Sequence, residues 1–267
     1  MSEIRFTDGA GYERYMGMWS RLIGQTFIDW LVPPGGWRWL DVGCGNGAFT
    51  ELLIERCAPA SVTGVDPSEA QLAFARLRPG TRGAEFVQGN AMSLQFPNAA
   101  FDAAAMPLVI VFVPDPAAGV AEMVRVVRPG GTVAAYMWDP EAGGFPYGAL
   151  MAEMRAMDLP VPTPPSPDAS RSDMLRDLWT TAGMVDIRAR EISVARTFAD
   201  FAEYWTTIQL SASIGPTLRD LAASDPERLG AIETKMRELL RPDSNGRITY
   251  TSRANAIAGH LGERGQR

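Results

Sequence analysis

The chain has 267 residues, a net charge of −6 and 46% hydrophobic residues, which suits one large α/β domain or a core domain carrying a smaller subdomain. An acidic balance with scattered arginines and one lysine, Lys235, argues against a surface built for phosphate backbones, so no nucleic-acid partner is expected. No run approaches the roughly 18 uninterrupted apolar residues of a membrane span, and the first residues lack a basic-then-apolar leader, so a cytoplasmic protein with no membrane association is expected.

Two cysteines, Cys44 and Cys57, make neither a disulfide framework nor a metal centre. With one histidine, His260, a Ser-His-Asp triad or a multi-histidine metal site has little to draw on, and no metal is expected.

Residues Tyr12 to Leu31 read as a helix whose apolar positions Tyr15, Met18 or Trp19, Leu22, Ile23, Phe27 and Trp30 share one buried face. Pro33-Pro34-Gly35-Gly36 stops it. Its aromatic residues suit a core; alternatively Tyr12, Met16 and Trp19 close over a cofactor from outside the sheet. An apolar strand, Trp37 to Val42, follows and runs through Leu40-Asp41-Val42-Gly43-Cys44-Gly45-Asn46-Gly47 into a helix from Asn46 to Cys57. Glycine lacks a Cβ and tolerates positive φ, so a ligand can touch bare backbone here, and free N–H groups at the helix start would face it.

The guest is nucleotide-like, and the glycines alone do not choose it. Gly43-x-Gly45-x-x-Ala48 loosely satisfies the dinucleotide fingerprint. Asp41, two residues before the first glycine, would repel a pyrophosphate and attract a cationic group. S-adenosylmethionine (SAM), with an ammonium at its methionine end and a sulfonium at its centre, suits such an acidic lip. An ordinary tight βα turn is the plain alternative.

A second strand, Ser61 to Asp66, ends on an acid that in doubly wound folds reaches ribose hydroxyls. Pro67-Ser68 caps a helix to about Arg78. The third strand, Ala84 to Gln88, leads into Gly89-Asn90-Ala91-Met92, where an amide could pair with an adenine or simply form a turn. The fourth, Phe101 to Met106, precedes the apolar run Pro107 to Val113, expected under the cofactor's methionine end. Pro114 and Pro116 open a helix through Val127, and Arg128-Pro129-Gly130-Gly131 turns it into a fifth strand, Thr132 to Trp138.

This alternation calls for a parallel sheet with helices on both faces. The ligand crevice lies outside the C-terminal strand ends, where Asp41 to Gly47, Asp66, Asn90, Met106 and Trp138-Asp139 all fall.

Beyond residue 139 the pattern changes. Gly143 to Pro146 and the proline-rich Leu159 to Pro167 read as loop or lid around a helix near Tyr147 to Met157. Met184 to Val194 reads as a strand; Phe198 to Thr207, Pro216 to Ala223 and Pro226 to Leu240 read as helices inserted before a last strand, Arg247 to Ala258. They form a substrate cover or simply cap the core. The expected organisation is one domain: an N-terminal helical cap (1–36), a cofactor core (37–139), a lid and helical insertion with a sheet strand (140–246), and the last strand and tail (247–267).

With these residues in view, the chain resembles the class I SAM-dependent methyltransferases, within them the small-molecule group that includes ubiquinone and menaquinone biosynthesis methyltransferases. The resemblance is carried by Leu40 to Gly47, Gly64-Val65-Asp66-Pro67-Ser68, Gly89-Asn90-Ala91, Phe101-Asp102 and Val124 to Gly131. It implies a Rossmann-like, doubly wound, mostly parallel seven-stranded sheet with a helical insertion before the last strand. By position, Asp41 would accept the SAM amino group, Gly43 and Gly45 would seat the methionine portion, Asp66 would hold both ribose hydroxyls, Pro67 and Gln71 would flank the adenine, and Asn90 with Ala91 would bind its edge. The candidate cofactor contacts are Tyr12, Met16, Trp19, Asp41, Gly43, Cys44, Gly45, Asn46, Asp66, Pro67, Ser68, Gln71, Asn90, Ala91, Met92, Met106 and Leu108. Asparagine at 90 stands where the family usually has aspartate, and Met106-Pro107 replaces a more polar pair.

The implied activity is methyl transfer to a small, partly apolar acceptor by in-line displacement. No residue stands out as a general base; Asp139, Tyr147, Tyr204, Trp205 and His260 are candidates to line the acceptor pocket, with His260 otherwise a surface residue. An NAD(P)-dependent oxidoreductase is disfavoured by Asp41 and by the lack of a Tyr-Lys or histidine hydride-transfer site, and a non-catalytic SAM-binding protein is the third reading. The oligomeric state is not assigned.

Overall fold

A computed structural model describes residues 13–211 and 214–262. Its seven strands are β1 (Arg38–Val42), β2 (Ser61–Asp66), β3 (Glu85–Gln88), β4 (Phe101–Pro107), β5 (Val127–Trp138), β6 (Met184–Phe198) and β7 (Ile248–Leu261). They form one sheet in the order β3-β2-β1-β4-β5-β7-β6. The first five pair in parallel, and β7 runs antiparallel between β5 and β6. This is the doubly wound, mostly parallel architecture expected.

Helix α1 (Met18–Leu31) precedes β1, and α2 (Ala48–Cys57), α3 (Glu69–Leu77) and α4 (Pro116–Val126) cross between the early strands. Further along come α5 (Gly148–Ala156) and α6 (Ser172–Thr181), then α7 (Phe201–Gln209), α8 (Gly215–Ser224) and α9 (Pro226–Leu239) in the excursion between β6 and β7. Among the described residues, no helix is long and apolar enough to cross a membrane.

Central strands covered on both faces read as continuous apolar runs. In β1, Trp39, Leu40, Asp41 and Val42 are all buried, and in β4 Ala103, Ala104 and Ala105 are fully so. The base of the sheet is tied by Asp102, whose carboxylate accepts from the Arg38 backbone N–H at 2.8 Å, from Arg38 Nε at 3.0 Å and from Arg128 Nε at 2.6 Å. These guanidinium groups hold its carboxyl well below the usual carboxylate range.

Residues 128–131, expected as a turn outside the sheet, are drawn into β5 through a register shift opposite Phe101 and Ala103. Gly131 makes this possible, because a Cβ there would stand 2.5 Å from the Asp102 carbonyl oxygen. The first helix begins at Met18, after a π-helical turn, Glu13–Gly17. Helix α6 had no counterpart in the sequence reading. It anchors through Leu175 and Trp179, whose indole N–H donates to the Val133 carbonyl at 2.9 Å. The proline-rich stretch is pinned at Ser166, which donates its N–H to Val111 O at 3.0 Å and its hydroxyl to Val113 O at 2.8 Å.

Directly opposite residues of neighbouring strands point to one face. Arg188 of β6 lies over Trp30 of α1 at 5.4 Å, and Tyr250 of β7 meets Trp19 of α1. The even-numbered residues of β6 from Arg188 onward and of β7 therefore face α1, while Asn255 and Gly259 of β7 face the α6 side.

Candidate cofactor and acceptor site

Three glycines shape the β1–α2 turn, each for a different reason. All have positive φ: +73° at Gly43, +51° at Gly45 and +80° at Gly47. At Gly43 a Cβ would lie 2.5 Å from Val109 Cγ2, so the bare backbone admits a protein side chain and not a ligand, contrary to expectation. Gly47 is pressed by Ala75 Cβ at 3.1 Å and Thr81 Cγ2 at 3.2 Å. Gly45 alone of the three has an open flank, its nearest neighbour being Gln71 Oε1 at 4.0 Å.

The turn's amides also depart from expectation, because the loop uses them itself. Gly43 and Cys44 donate to Val65 O at 2.7 and 3.1 Å, Gly45 to Asp66 Oδ2 at 2.9 Å, Gly47 to Cys44 O at 2.9 Å and Ala48 to Asn46 Oδ1 at 3.3 Å. The N–H groups of Gly43, Cys44, Gly45, Gly47 and Ala48 are thus already engaged, and the Asp41 and Asp66 carboxylates stand beside the turn.

Asp41 is not an exposed lip: its relative exposure is 0%. Thr50 Oγ1 donates to its Oδ2 at 2.6 Å, and among the described residues the buried Oδ1 has no hydrogen-bond partner. Burial pushes its carboxyl up to about 7. Asp66, half-buried at the end of β2, receives the N–H of Gly45 on one oxygen and that of Ser68, at 2.8 Å, on the other. Burial raises its carboxyl too, against those two N–H groups. Each oxygen keeps a further lone pair for a diol.

These residues fit SAM. An orphaned buried carboxylate oxygen calls for a cationic donor such as an ammonium, Gly45 offers the bare flank, and Asp66 is held rigidly by backbone.

The remaining candidates divide. Asn46 is buried and donates from Nδ2 to Glu13 Oε2 at 2.9 Å, and Arg78 joins Glu13 at 2.9 Å and Glu51 at 2.7 Å, so the π-helical turn is strapped to the glycine turn. Cys44 is a packing residue, its sulfur filling the space beside Gly64, and burial pushes its thiol well up. Ser68 caps α3 by accepting the Gln71 N–H, Gln71 is itself buried, and Pro67 is exposed with its carbonyl accepting from Gln88. Asn90 is exposed and its Oδ1 accepts the Met92 N–H at 2.9 Å, which is turn geometry, with Ala91 and Met92 half-buried beside it. Leu108 sits at φ +59° with its N–H on Tyr136 O at 2.8 Å.

Met106 is a correction. It is fully buried and its Cε packs near Gly119 of α4, on the core side of the strand. Met16 is buried in the core, and Trp19 joins an aromatic group around Tyr147. Tyr12 lies outside the described residues.

Of the acceptor-pocket candidates, Tyr147 and Tyr204 are brought together at a ring separation of 6.0 Å. Both are fully buried; Trp19 Nε1 donates to the Tyr147 hydroxyl at 3.1 Å, and that hydroxyl donates to Tyr15 O at 3.3 Å. Trp205 stacks on Phe201 at 5.9 Å. Asp139 is not part of this group: it accepts from Arg253 at 2.8 Å, and Arg253, an odd-numbered β7 residue, faces away from Tyr250. It lines a separate shallow cleft of about 470 Å³ with Arg171, Asp173 and Glu191. His260 lies apart from this group, since β7 places it opposite Thr132, midway along β5 and away from its Trp138 end, with Nδ1 3.2 Å from Thr132 Oγ1. The sequence reading missed Arg196, Tyr250 and Ser252, and only the strand alternation of β6 and β7 could have pointed to them.

The seven-stranded sheet order is that of a Rossmann-like methyltransferase fold, shared with solved structures of methyltransferases. Residues 40–135 match the family model described as Methyltransferase domain. A fatty-acid O-methyltransferase of Mycolicibacterium smegmatis is 40% identical over 96 residues, 36% of this chain and 35% of that protein. A 2-methyl-6-phytyl-1,4-hydroquinone methyltransferase 2 of Oryza sativa subsp. japonica is 38% identical over 173 residues, 58% of this chain and 48% of that one. The matches therefore span less than half the length of these two curated relatives. In structure, the chain is similar to a phosphoethanolamine N-methyltransferase 2 of Haemonchus contortus solved with SAM, at a TM-score of 0.57 and 14% identity over 98% of this chain and 61% of that one.

Proposed function

We propose that the protein transfers a methyl group from SAM to a small, partly apolar molecule. The observation that carries this reading is the sealed Asp41 carboxyl with one oxygen lacking a donor, in the same turn as the open flank of Gly45. Asp41 receives the donor's ammonium, Asp66 takes its ribose hydroxyls, and Gly45 lets its methionine portion lie close. When bound, SAM supplies an electrophilic methyl on a sulfonium with a good leaving group. The chain's own tasks are alignment and exclusion of water, which suits a site edged by Tyr147, Tyr204 and Trp19 and lacking an evident base.

A small apolar acceptor agrees with the fatty-acid and hydroquinone methyltransferases among the relatives, and the acidic surface disfavours nucleic acid. The four stretches from the N-terminal cap to the last strand act as one domain in this reading. Isothermal titration with SAM and S-adenosylhomocysteine (SAH) is the direct test: both bind, and absence of binding at millimolar ligand rejects the proposal. Transfer of labelled methyl from SAM into a metabolite extract then separates catalysis from mere binding.

A further inference from the structure

Four buried polar atoms without a hydrogen-bond partner among the described residues occur near the acceptor end: Tyr204 Oη, Trp138 Nε1, Ser252 Oγ and Arg196 Nη1. Tyr204, Trp138 and Ser252 are 0%, 2% and 1% exposed. The strand register gathers them. Arg196 pairs with Tyr250, Val194 with Ser252, and Trp138 with Ala254, so Trp138, Arg196 and Ser252 share the face toward α1 at the C-terminal edge of β5. Tyr204 closes the group from α7, its ring 5.3 Å from Phe198 and 6.0 Å from Tyr147. Trp19 bridges it, 6.4 Å from Trp138 and 6.1 Å from Tyr250.

Native proteins rarely leave buried polar groups unpaired, and a cluster calls for an explanation by water or a guest. The chemistry of this cluster is one-sided. A guanidinium and an indole N–H can only donate, while the two hydroxyls can donate or accept. Among the described residues no carboxylate pairs with Arg196, whose guanidinium lies 4.4 Å from the Phe198 ring centroid. Burial also pushes the Tyr204 phenol up, so it remains a donor at neutral pH. Aromatic walls around an acceptor-hungry floor suit a molecule with an apolar body and an anionic oxygen pair.

We propose that this cluster binds the methyl acceptor as an organic carboxylate, with Arg196 and Trp138 Nε1 on its oxygens and the aromatic rings against its apolar body. The proposal rests on the SAM reading only for calling the guest an acceptor.

The test is titration of the full chain, with and without SAH, using decanoate, naphthalene-2-carboxylate, decanol and decylammonium, read by calorimetry and tryptophan fluorescence. The expected result is that at least one carboxylate binds at least about tenfold more tightly than decanol and decylammonium, the aliphatic and aromatic arms showing which body fits. Arg196→Gln removes that preference while decanol and SAH affinities stay within about twofold, and Ser252→Ala, a milder change, weakens carboxylate binding less. Equal binding of carboxylate and alcohol, an unchanged preference in Arg196→Gln with a native melting curve, or SAH binding with no carboxylate binding overturns it. Arg196-dependent carboxylate binding without SAH binding keeps the carboxylate site and rejects the donor.

Discussion

Thr50 donates a hydrogen bond from its hydroxyl to one oxygen of Asp41 at 2.6 Å, while the other oxygen, sealed from solvent, meets no donor among the described residues. Thr50 therefore orients the carboxyl without neutralising it, which leaves its charge dependent on pH and on what binds.

The first prediction concerns that charge. Burial holds the Asp41 carboxyl at about 7 against an ordinary value of 3.8. Between those values the folded protein keeps a proton that the unfolded chain has lost, so this group's contribution to stability is full below the lower value and is lost as pH rises through the upper. The ligand-free melting temperature should fall from about pH 5 to about pH 8, and Asp41→Asn should flatten that slope. An ammonium beside the orphaned oxygen favours the carboxylate, so SAM binding near neutral pH releases a proton and tightens as pH rises. Binding enthalpies measured in buffers of different ionisation enthalpy read the release; no buffer dependence would place the ammonium elsewhere.

The second prediction separates two glycines of one turn. Gly43→Ala meets both a positive φ and Val109 and should cost about 2–4 kcal/mol in urea unfolding, partly restored by adding Val109→Ala. Gly45→Ala meets positive φ but open space, so its stability cost is about 1–2 kcal/mol. Its methyl stands where the donor must lie, and SAH affinity should drop at least about tenfold.

A third prediction tests the strap. Glu13 joins Asn46 and Arg78, all near the glycine turn, yet its carboxylate is 37% exposed. Glu13→Gln should change global stability by no more than about 1 kcal/mol, while proteolytic cleavage ahead of α1 and SAH dissociation should both quicken. Stopped-flow release of SAH and timed digestion measure these. Unchanged rates in both would make the contact a surface decoration.

The fourth prediction concerns the base of the sheet, away from the site. Asp102→Asn loses charge-assisted bonds from Arg38 and Arg128 and should cost about 1–3 kcal/mol at neutral pH. Because these cations lower the Asp102 carboxyl, the stabilisation exists above its ordinary value and disappears as pH falls through the lowered one. Wild type and variant should therefore converge in stability in acid, with SAH affinity alike at neutral pH. A constant gap across acid titration would assign the effect to packing.

The alternating half of the fold was legible because strands buried on both faces read as apolar runs and glycine and proline mark their ends. Boundaries of β1 to β4 and of α7 to α9 fall within a few residues of the pattern. Helix α6 escaped because Leu175 and Trp179 carry its burial while the rest of its face is polar or half-buried. Strand pattern places a residue at an edge but not what covers it, so Asp41 read as a rim when α2 seals it through Thr50. Met106 and Asp139 failed on direction, and His260 on the sense of β7, none of which short-range pattern records. The acceptor end depends on which residues of β6 face those of β7, and that pairing joins positions some fifty apart in sequence, such as Arg196 with Tyr250.

The last of the seven strands in chain order, β7, is not at the margin of the sheet but between two that precede it. During translation β5 ends in an open ladder and β6 has no neighbour until residues 248–261 leave the ribosome. A message truncated just ahead of Ile248 would thus yield a chain with its donor-side strands complete and one raw hydrogen-bonding edge, prone to pair with other chains.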